Sequence, residues 1–321
     1  MRRYLFSFSL LAFVIFTCVS ASAQTPDQAV SHFKKALKLT SSGDVDGAIE
    51  EYSRAIAISS QLQPQRGASR NPAQSFAGAE EAREFTDTGI RVIDPFTAHA
   101  YNNRGLLRYN RTDYFGAIED FNAAERIKPS LEAIYLNRSA AFRATGNTQA
   151  ALADLDRAIA LKKDFFQAYN NRGSLHHDLG HDKQALSDLD RAIQLKDDVA
   201  DTYYLRAYAY LAVDNWNASL KDFDRAIELA PGMAWAYQGR GTVFMKKGMM
   251  QEAISDFDRS LELNPQMVWA YLNRGLAKVY LGDEAGAQSD FDQCLKLKPE
   301  LKAQLDDKID LARELRQRGK Q

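Results

Sequence analysis

Cysteine is almost missing from this sequence: its 321 residues include only 2, Cys18 and Cys294. No disulfide framework can be built from so few thiols. Neither sign of charge dominates, with Lys+Arg 41 against Asp+Glu 42 and a formal net charge of −1. That balance argues against a nucleic-acid partner, which demands a basic face. There is no glycine-rich phosphate loop, no nucleophile elbow, and no paired acid and base outside positions that recur along the chain. These absences point away from an enzyme. Hydrophobic residues make up 45%, enough for a core.

One apolar run stands out, at the beginning. Arg2 and Arg3 precede a mostly apolar stretch from Leu5 to Val19, and Ala21-Ser22-Ala23 forms a small-x-small site before Gln24. This is the pattern of an export signal cleaved after Ala23. The stretch is short for a bilayer span of about 20 residues, and an uncleaved anchor is the alternative. Ile15-Phe16-Thr17 lacks the small residue that a lipid-attachment site at Cys18 would want. Export without a stable membrane span implies a periplasmic or secreted setting. It leaves Cys294 as a lone thiol, in a slot that holds Ala or Ser elsewhere, where a small buried filler fits.

What the chain has in abundance is repetition. Gly105, Ser139, Gly173, Ala207, Gly241 and Gly275 recur at a 34-residue interval. Ala117, Ala151, Ala185, Ser219, Ala253 and Ala287 keep the same phase, as do Ala124, Ala158, Ala192, Ala226, Ser260 and Cys294. Small residues held in phase mark units whose helices touch closely. Six contiguous units run 98–131, 132–165, 166–199, 200–233, 234–267 and 268–301. Each is expected to form two helices, with Pro129, Pro231, Pro265 and Pro299 after the second. Gly241, inside a first helix, implies a close backbone approach. Gly43, Ala48, Tyr52, Ala55 and Ile58 place a degenerate unit at 29–62, with Phe33, Lys34, Lys35 and Lys38 in its first helix. An insertion, 63–97, separates it from the others. Leu305, Ile309 and Leu315 suggest that 302–321 supplies a capping helix and tail.

On these residues the chain resembles the tetratricopeptide-repeat proteins, over roughly three quarters of its length. It departs from the family pattern in one respect: Arg stands before the small residue in all six units, where the family usually has Leu. The resemblance implies an all-α fold, an α-solenoid in which antiparallel helix pairs stack into a right-handed superhelix and first helices line a concave groove.

Arg104, Arg138, Arg172, Arg206, Arg240 and Arg274 each have an Asp sixteen residues later: Asp120, Asp154, Asp188, Asp222, Asp256 and Asp290. In the degenerate unit the pair becomes Lys35 and Glu51, so the charge match survives replacement of both partners. A facing ion pair between the helices of each unit is expected, with Arg offering its bidentate fork. An anion-binding role is the alternative.

For the groove, the resemblance points to the residue before each Arg. Asn103, Asn137, Asn171 and Asn273 are candidates there, since an amide both donates to and accepts from a peptide backbone; cross-linking of neighbouring helices is the alternative use. Leu205 and Gly239 interrupt the series. Asn102, Leu136, Asn170, His99, Ala133 and Gln167 stand where relatives that clamp a C-terminal carboxylate carry cations, so that function is not expected. Tyr203, Tyr237 and Tyr271 continue a line of packing residues begun by Tyr101, Tyr135 and Tyr169. Tyr204, Tyr208, Trp235 and Trp269 are further partner-binding candidates. The two tryptophans lie outside that line and suit partner anchors or rim packing. His176, His177 and His181 cluster without the ligand set of a zinc site. Asn110, Asn137 and Asn217 head Asn-x-Ser/Thr triplets that fit repeat composition. The expectation is a non-catalytic scaffold that binds a partner protein or extended peptide, with no cofactor and no metal. An enzyme or metal protein using the groove with the 63–97 insertion is one alternative; a self-associating scaffold is another.

Overall fold

The computed structural model describes residues 25–62 and 96–318. The expected signal segment and most of the 63–97 insertion lie outside the described residues. Among those described, the secondary structure is all helical, and the architecture is an α-solenoid. The chain divides into two compact units, with the boundary in sequence between Pro129 and Ser130.

In the first unit α1 (Pro26–Ser42) pairs with α2 (Val45–Leu62), and α3 (96–110) precedes α4 (Tyr114–Ile127). The backbone is already helical at Phe96, inside the segment the sequence assigned to the insertion. The second unit contains α5 (Glu132–Ala144), α6 (Thr148–Leu161), α7 (Phe166–Asp178), α8 (Asp182–Leu195), α9 (Ala200–Ala212) and α10 (Trp216–Leu229). It continues with α11 (Ala234–Lys246), α12 (Met250–Leu263), α13 (Val268–Leu281), α14 (Glu284–Leu297), a 3-10 turn (Pro299–Leu301) and α15 (Lys302–Arg318).

The turns between paired helices follow from local chemistry. Gly43, Gly146, Gly180, Gly248 and Gly282 all have φ between 73° and 92°, a left-handed region that only glycine enters without a Cβ clash. Thr112 and Asp214 occupy the same register with φ of 63° and 55°. The second helix then starts on a side-chain cap where one is available. Asp113 accepts from the Gly116 amide, Asn147 from Ala150, Asn215 from Ala218 and Asp283 from Gly286.

The small-residue series works differently from the close backbone approach inferred for Gly241. A Cβ on Gly241 would lie 2.8 Å from Cε1 of Phe257, and one on Gly275 would lie 2.4 Å from Cε1 of Phe291. Each glycine therefore makes room for a ring carried sixteen residues later on the second helix. Gly105 does the same for Phe121. At Gly173 the guest is Leu189, with Cγ at 2.7 Å, and the Ala185 carbonyl oxygen also comes near, at 3.3 Å. Phe121, Phe223 and Phe257 are wholly buried. Cys294 is buried too, and burial pushes its thiol pKa up.

Every expected Arg–Asp pair forms. In the second unit Arg138, Arg172, Arg206 and Arg240 each donate Nε and Nη2 to the two oxygens of the Asp sixteen residues on, at 2.6–2.8 Å. Arg274 grips Asp290 in the same way. A second carboxylate, which the sequence reading did not identify, takes the remaining Nη1. Arg172 reaches Asp156, Arg206 reaches Asp190, Arg240 reaches Asp224 and Arg274 reaches Asp258, at 2.6–2.7 Å. Each of these four guanidiniums thus closes its own helix pair and ties it to the preceding one. In all five repeats of the second unit the Arg lies 5.5–5.7 Å from the centre of the tyrosine ring three residues earlier, from Tyr135 to Tyr271. In the first unit Arg104 holds Asp120 and Lys35 holds Glu51 at 2.8 Å. Burial pushes the Glu51 pKa up, but hydrogen bonds from His32 and Lys35 outweigh it and hold the carboxyl below its usual value. Phe33 is buried against Phe96 and Tyr52, so this helix end does not simply face water.

The array ends on α15, which packs on α13 through Leu305, Ile309 and Ala312. Leu315, expected on that face, is exposed, and Arg316 takes the contact by donating to the Val279 carbonyl and to Glu284. The 3-10 turn shifts the register by one residue. Leu305 and Ala312 follow the buried Ala270 and Ala277 at an interval of 35, where the sequence period is 34. No described helix is long and apolar enough to cross a membrane.

Candidate functional site

The ring-bearing second helices cover one side of each first helix. Residues at the register of Tyr204 and Tyr208 are four apart and therefore neighbours on one helix surface, and both rings reach the Phe223 ring of the second helix. Here first helices of neighbouring repeats touch directly. Tyr208 donates through its hydroxyl to Oε1 of Gln238 at 3.2 Å. Nε2 of Gln238 donates to Oγ1 of Thr242 at 3.1 Å, and Nδ2 of Asn273 donates to the same oxygen at 3.3 Å. One chain of polar side chains thus runs across α9, α11 and α13.

It has aromatic backing. Tyr204 and Tyr208 meet edge to face with ring centroids 5.0 Å apart, and Tyr208 stands at 88° to Phe223, 5.3 Å away. Burial raises the pKa of both phenols, so both hydroxyls stay protonated at neutral pH. On the α7 side, Arg143 donates to Oγ of Ser174 at 3.3 Å and to Asp178. His177 places Nδ1 2.6 Å from Asp182, with its ring 6.4 Å from that of Tyr208. Thr202, fully buried, donates to Oδ1 of Asn170 at 2.9 Å. Gln238, Ser174 and Thr202 are buried, so these contacts join neighbouring first helices, while Asn171, Thr242 and Asn273 stay partly exposed beside them.

The candidate asparagines divide. Asn273 is one link of the polar chain. Asn103, in the first unit, donates to the Tyr52 hydroxyl at 3.2 Å, joining α3 to α2. Asn137 is partly buried on α5. Asn171 is partly exposed on α7, and among the described residues its side chain makes no hydrogen bond. At Gly239 the series is interrupted for a packing reason: a Cβ there would lie 2.4 Å from the ring of Phe223 in the preceding helix pair.

Trp235 and Trp269 are 48% and 40% exposed, at the second residue of α11 and of α13. Lys298 lies 5.9 Å from the centre of the Trp269 ring. The pair shares a register with Gln167 and Asp201, both exposed, so this edge of the array is open in four successive repeats. Sequence reasoning missed Ser174, Gln238 and Thr242. Their signal was faint, because the residue type at each of these registers changes from repeat to repeat. The His176 and His181 rings come within 5.8 Å across the turn at Gly180, His177 turns to Asp182 instead, and no metal-holding cluster occurs among the described residues.

Residues 166–199, 200–233, 234–267 and 270–301 match tetratricopeptide-repeat profiles, and residues 140–180 match a TPR-repeat profile. Among solved structures, a tetratricopeptide repeat protein from Parabacteroides merdae aligns with TM-score 0.60 at 17% identity, covering 89% of this chain and 99% of that one. PilF from Pseudomonas aeruginosa aligns with TM-score 0.58 at 17% identity, over 64% of this chain and 94% of its own. PilW, described as a type IV pilus biogenesis factor, gives 0.59 at 16%, over 63% and 94%. At these identities the likeness is one of fold. A comparison with curated proteins returned no match.

Proposed function

Taking residues 140–301, built of tetratricopeptide repeats, as the premise, we propose that this protein is a non-catalytic scaffold that holds a partner protein, as an extended segment, on the first-helix face of α7 to α13. The observation that carries the reading is the chain Tyr208–Gln238–Thr242–Asn273 beside the unpaired amide of Asn171. The chain fixes the spacing of the first helices, and the partly exposed amides of Asn171 and Asn273 can take a peptide backbone without a charged anchor. Trp235 and Trp269 lie at one edge of the same helices and supply apolar anchors for a partner that continues past it. The export pattern of residues 1–23 favours a periplasmic or secreted site of action.

Photo-cross-linking tests this. A photoreactive side chain at Asn171 or Trp235 should trap the same partner in extracts of the native compartment. One at Lys221, exposed on the second helix α10, should not. Capture through Lys221 alone would place the partner on the other face and end this reading.

A further inference from the structure

One ring in the second unit departs from its neighbours in chemistry but not in place. Four residues after the repeated Arg, three repeats carry an aromatic ring beside the guanidinium: Phe142 lies 5.8 Å from Arg138, Tyr210 5.8 Å from Arg206 and Phe244 5.9 Å from Arg240. In the repeat of α7 and α8 that register holds His176, four residues after Arg172. Its Nδ1 atom is shut off from solvent and meets no hydrogen-bond partner.

We propose that His176 is a proton-operated weak joint in the repeat array, an aromatic shelf for Arg172 while neutral and, once protonated, a cation with an enclosed, unpaired Nδ1. With the proton on Nε2, the next proton must go to the enclosed Nδ1. With the proton already on Nδ1, that N–H has no acceptor. Either way the charged ring keeps a buried donor unpaired, which destabilises the fold.

Two other repeats show what a stable cation at this register needs. Arg108 reaches Asp120 at 3.2 Å, and Lys278 reaches Asp290 at 2.8 Å. Their long stems carry the charge to the carboxylate already gripped by the repeated Arg. The imidazole is too short to do so.

The charged groups that act on His176 lie on its own helix, in the following turn, on α8 and on α6. Arg172 on α7 opposes its protonation, as does His181 in the turn, whose ring is 5.8 Å away. Asp188 on α8 and Asp156 on α6 favour it, but both are held by Arg172. Burial is the largest influence, and the net effect is a pKa below the usual histidine value. A histidine that resists its proton in the folded chain, and accepts it normally in the unfolded one, confers stability that is complete above about pH 6.5. That stability falls as pH drops through this value, until the folded form also takes the proton.

The test is chemical unfolding of the whole chain at about pH 7.5 and about pH 5.5, for the parent, His176→Phe and His176→Lys. The parent should lose more of its folded-to-unfolded ratio on acidification than His176→Phe, with the excess approaching at most about tenfold per pH unit for one proton. His176→Lys should match His176→Phe, since a lysine there carries its charge at both pH values and can reach Asp188. Equal acid losses in parent and variants would overturn the proposal, as would a smaller loss in the parent. If His176→Phe fails to fold, the comparison with His176→Lys decides, together with NMR titration of the parent's imidazole. A His176 that titrates at or above an exposed histidine also overturns it. None of these readouts depends on a bound partner, so the joint stands or falls apart from the binding face.

Discussion

Arg240 donates through Nη1 to Asp224, at 2.7 Å, and thereby joins one helix pair to the pair before it. Its other two nitrogens close its own pair on Asp256. The two carboxylates differ in surroundings: the side chain of Asp256 is 8% exposed and that of Asp224 is 53% exposed.

Asp256→Ala should therefore cost about 3–5 kcal/mol, because it strands a half-buried guanidinium. Asp224→Ala should cost less than about 1 kcal/mol, since water and salt screen an exposed pair. Urea unfolding of the two variants, at low and high salt, separates them. Only the Asp224 effect should fade as salt rises. Equal costs would mean that the inter-repeat bond matters as much as the intra-repeat grip.

Packing of the rings gives a second expectation. Gly239→Ala brings a Cβ to 2.4 Å from the Phe223 ring, and overpacking of this kind costs about 1–3 kcal/mol. Phe223→Leu should relieve the clash, as the smaller Leu189 already serves opposite Gly173. In a double-mutant cycle, Gly239→Ala should then cost less on the Phe223→Leu background than on the parent. Strict additivity would show that the ring is not what the glycine accommodates.

Backbone strain supplies a third. Thr112 is β-branched and sits at φ 63° where the other repeats have glycine or, at Asp214, a residue that tolerates the region better. Thr112→Gly should raise stability by about 0.5–1 kcal/mol, the left-handed penalty less the entropy glycine loses on folding. Asp214→Gly should gain less, because the Asp214 carboxylate also accepts from Nε1 of Trp216 at 3.3 Å. Thermal midpoints of the two variants rank the effects. A fall in both would mean that these turns are held by side-chain contacts more than they are strained by φ.

Much of this was written in the period. Arg240 with Asp256 recurs in phase, and spacing alone puts such partners on facing helices; Gly241 recurs as well, but a small residue does not say whether a backbone or the Phe257 ring fills the space beside it. Asp224 escaped notice because an Asp-x-Asp on a second helix reads as a solvated face; its partner belongs to the following repeat. Gln238 and Thr242 escaped for the opposite reason. Their registers change residue type in each repeat, and periodicity is silent about what varies. Leu315 was misplaced because a single 3-10 turn, Pro299–Leu301, moves the capping helix by one residue and hands its inner face to Ala312.

The exposed tryptophans give the last expectation. A tryptophan essential to a core costs about 3–5 kcal/mol when cut to alanine. Trp235 and Trp269 are 48% and 40% exposed, so each should cost far less. Trp269 should cost slightly more than Trp235, because the Lys298 ammonium over its ring adds about 0.5–1 kcal/mol at an exposed site. The double variant Trp235→Ala with Trp269→Ala should keep its helical circular dichroism and nearly its full unfolding midpoint, yet capture less of any partner trapped through Asn171. A double variant that melts several kcal/mol early would assign the rings to packing. One that folds and still captures the partner undiminished would remove this edge from the binding face and leave the polar chain to hold the partner alone.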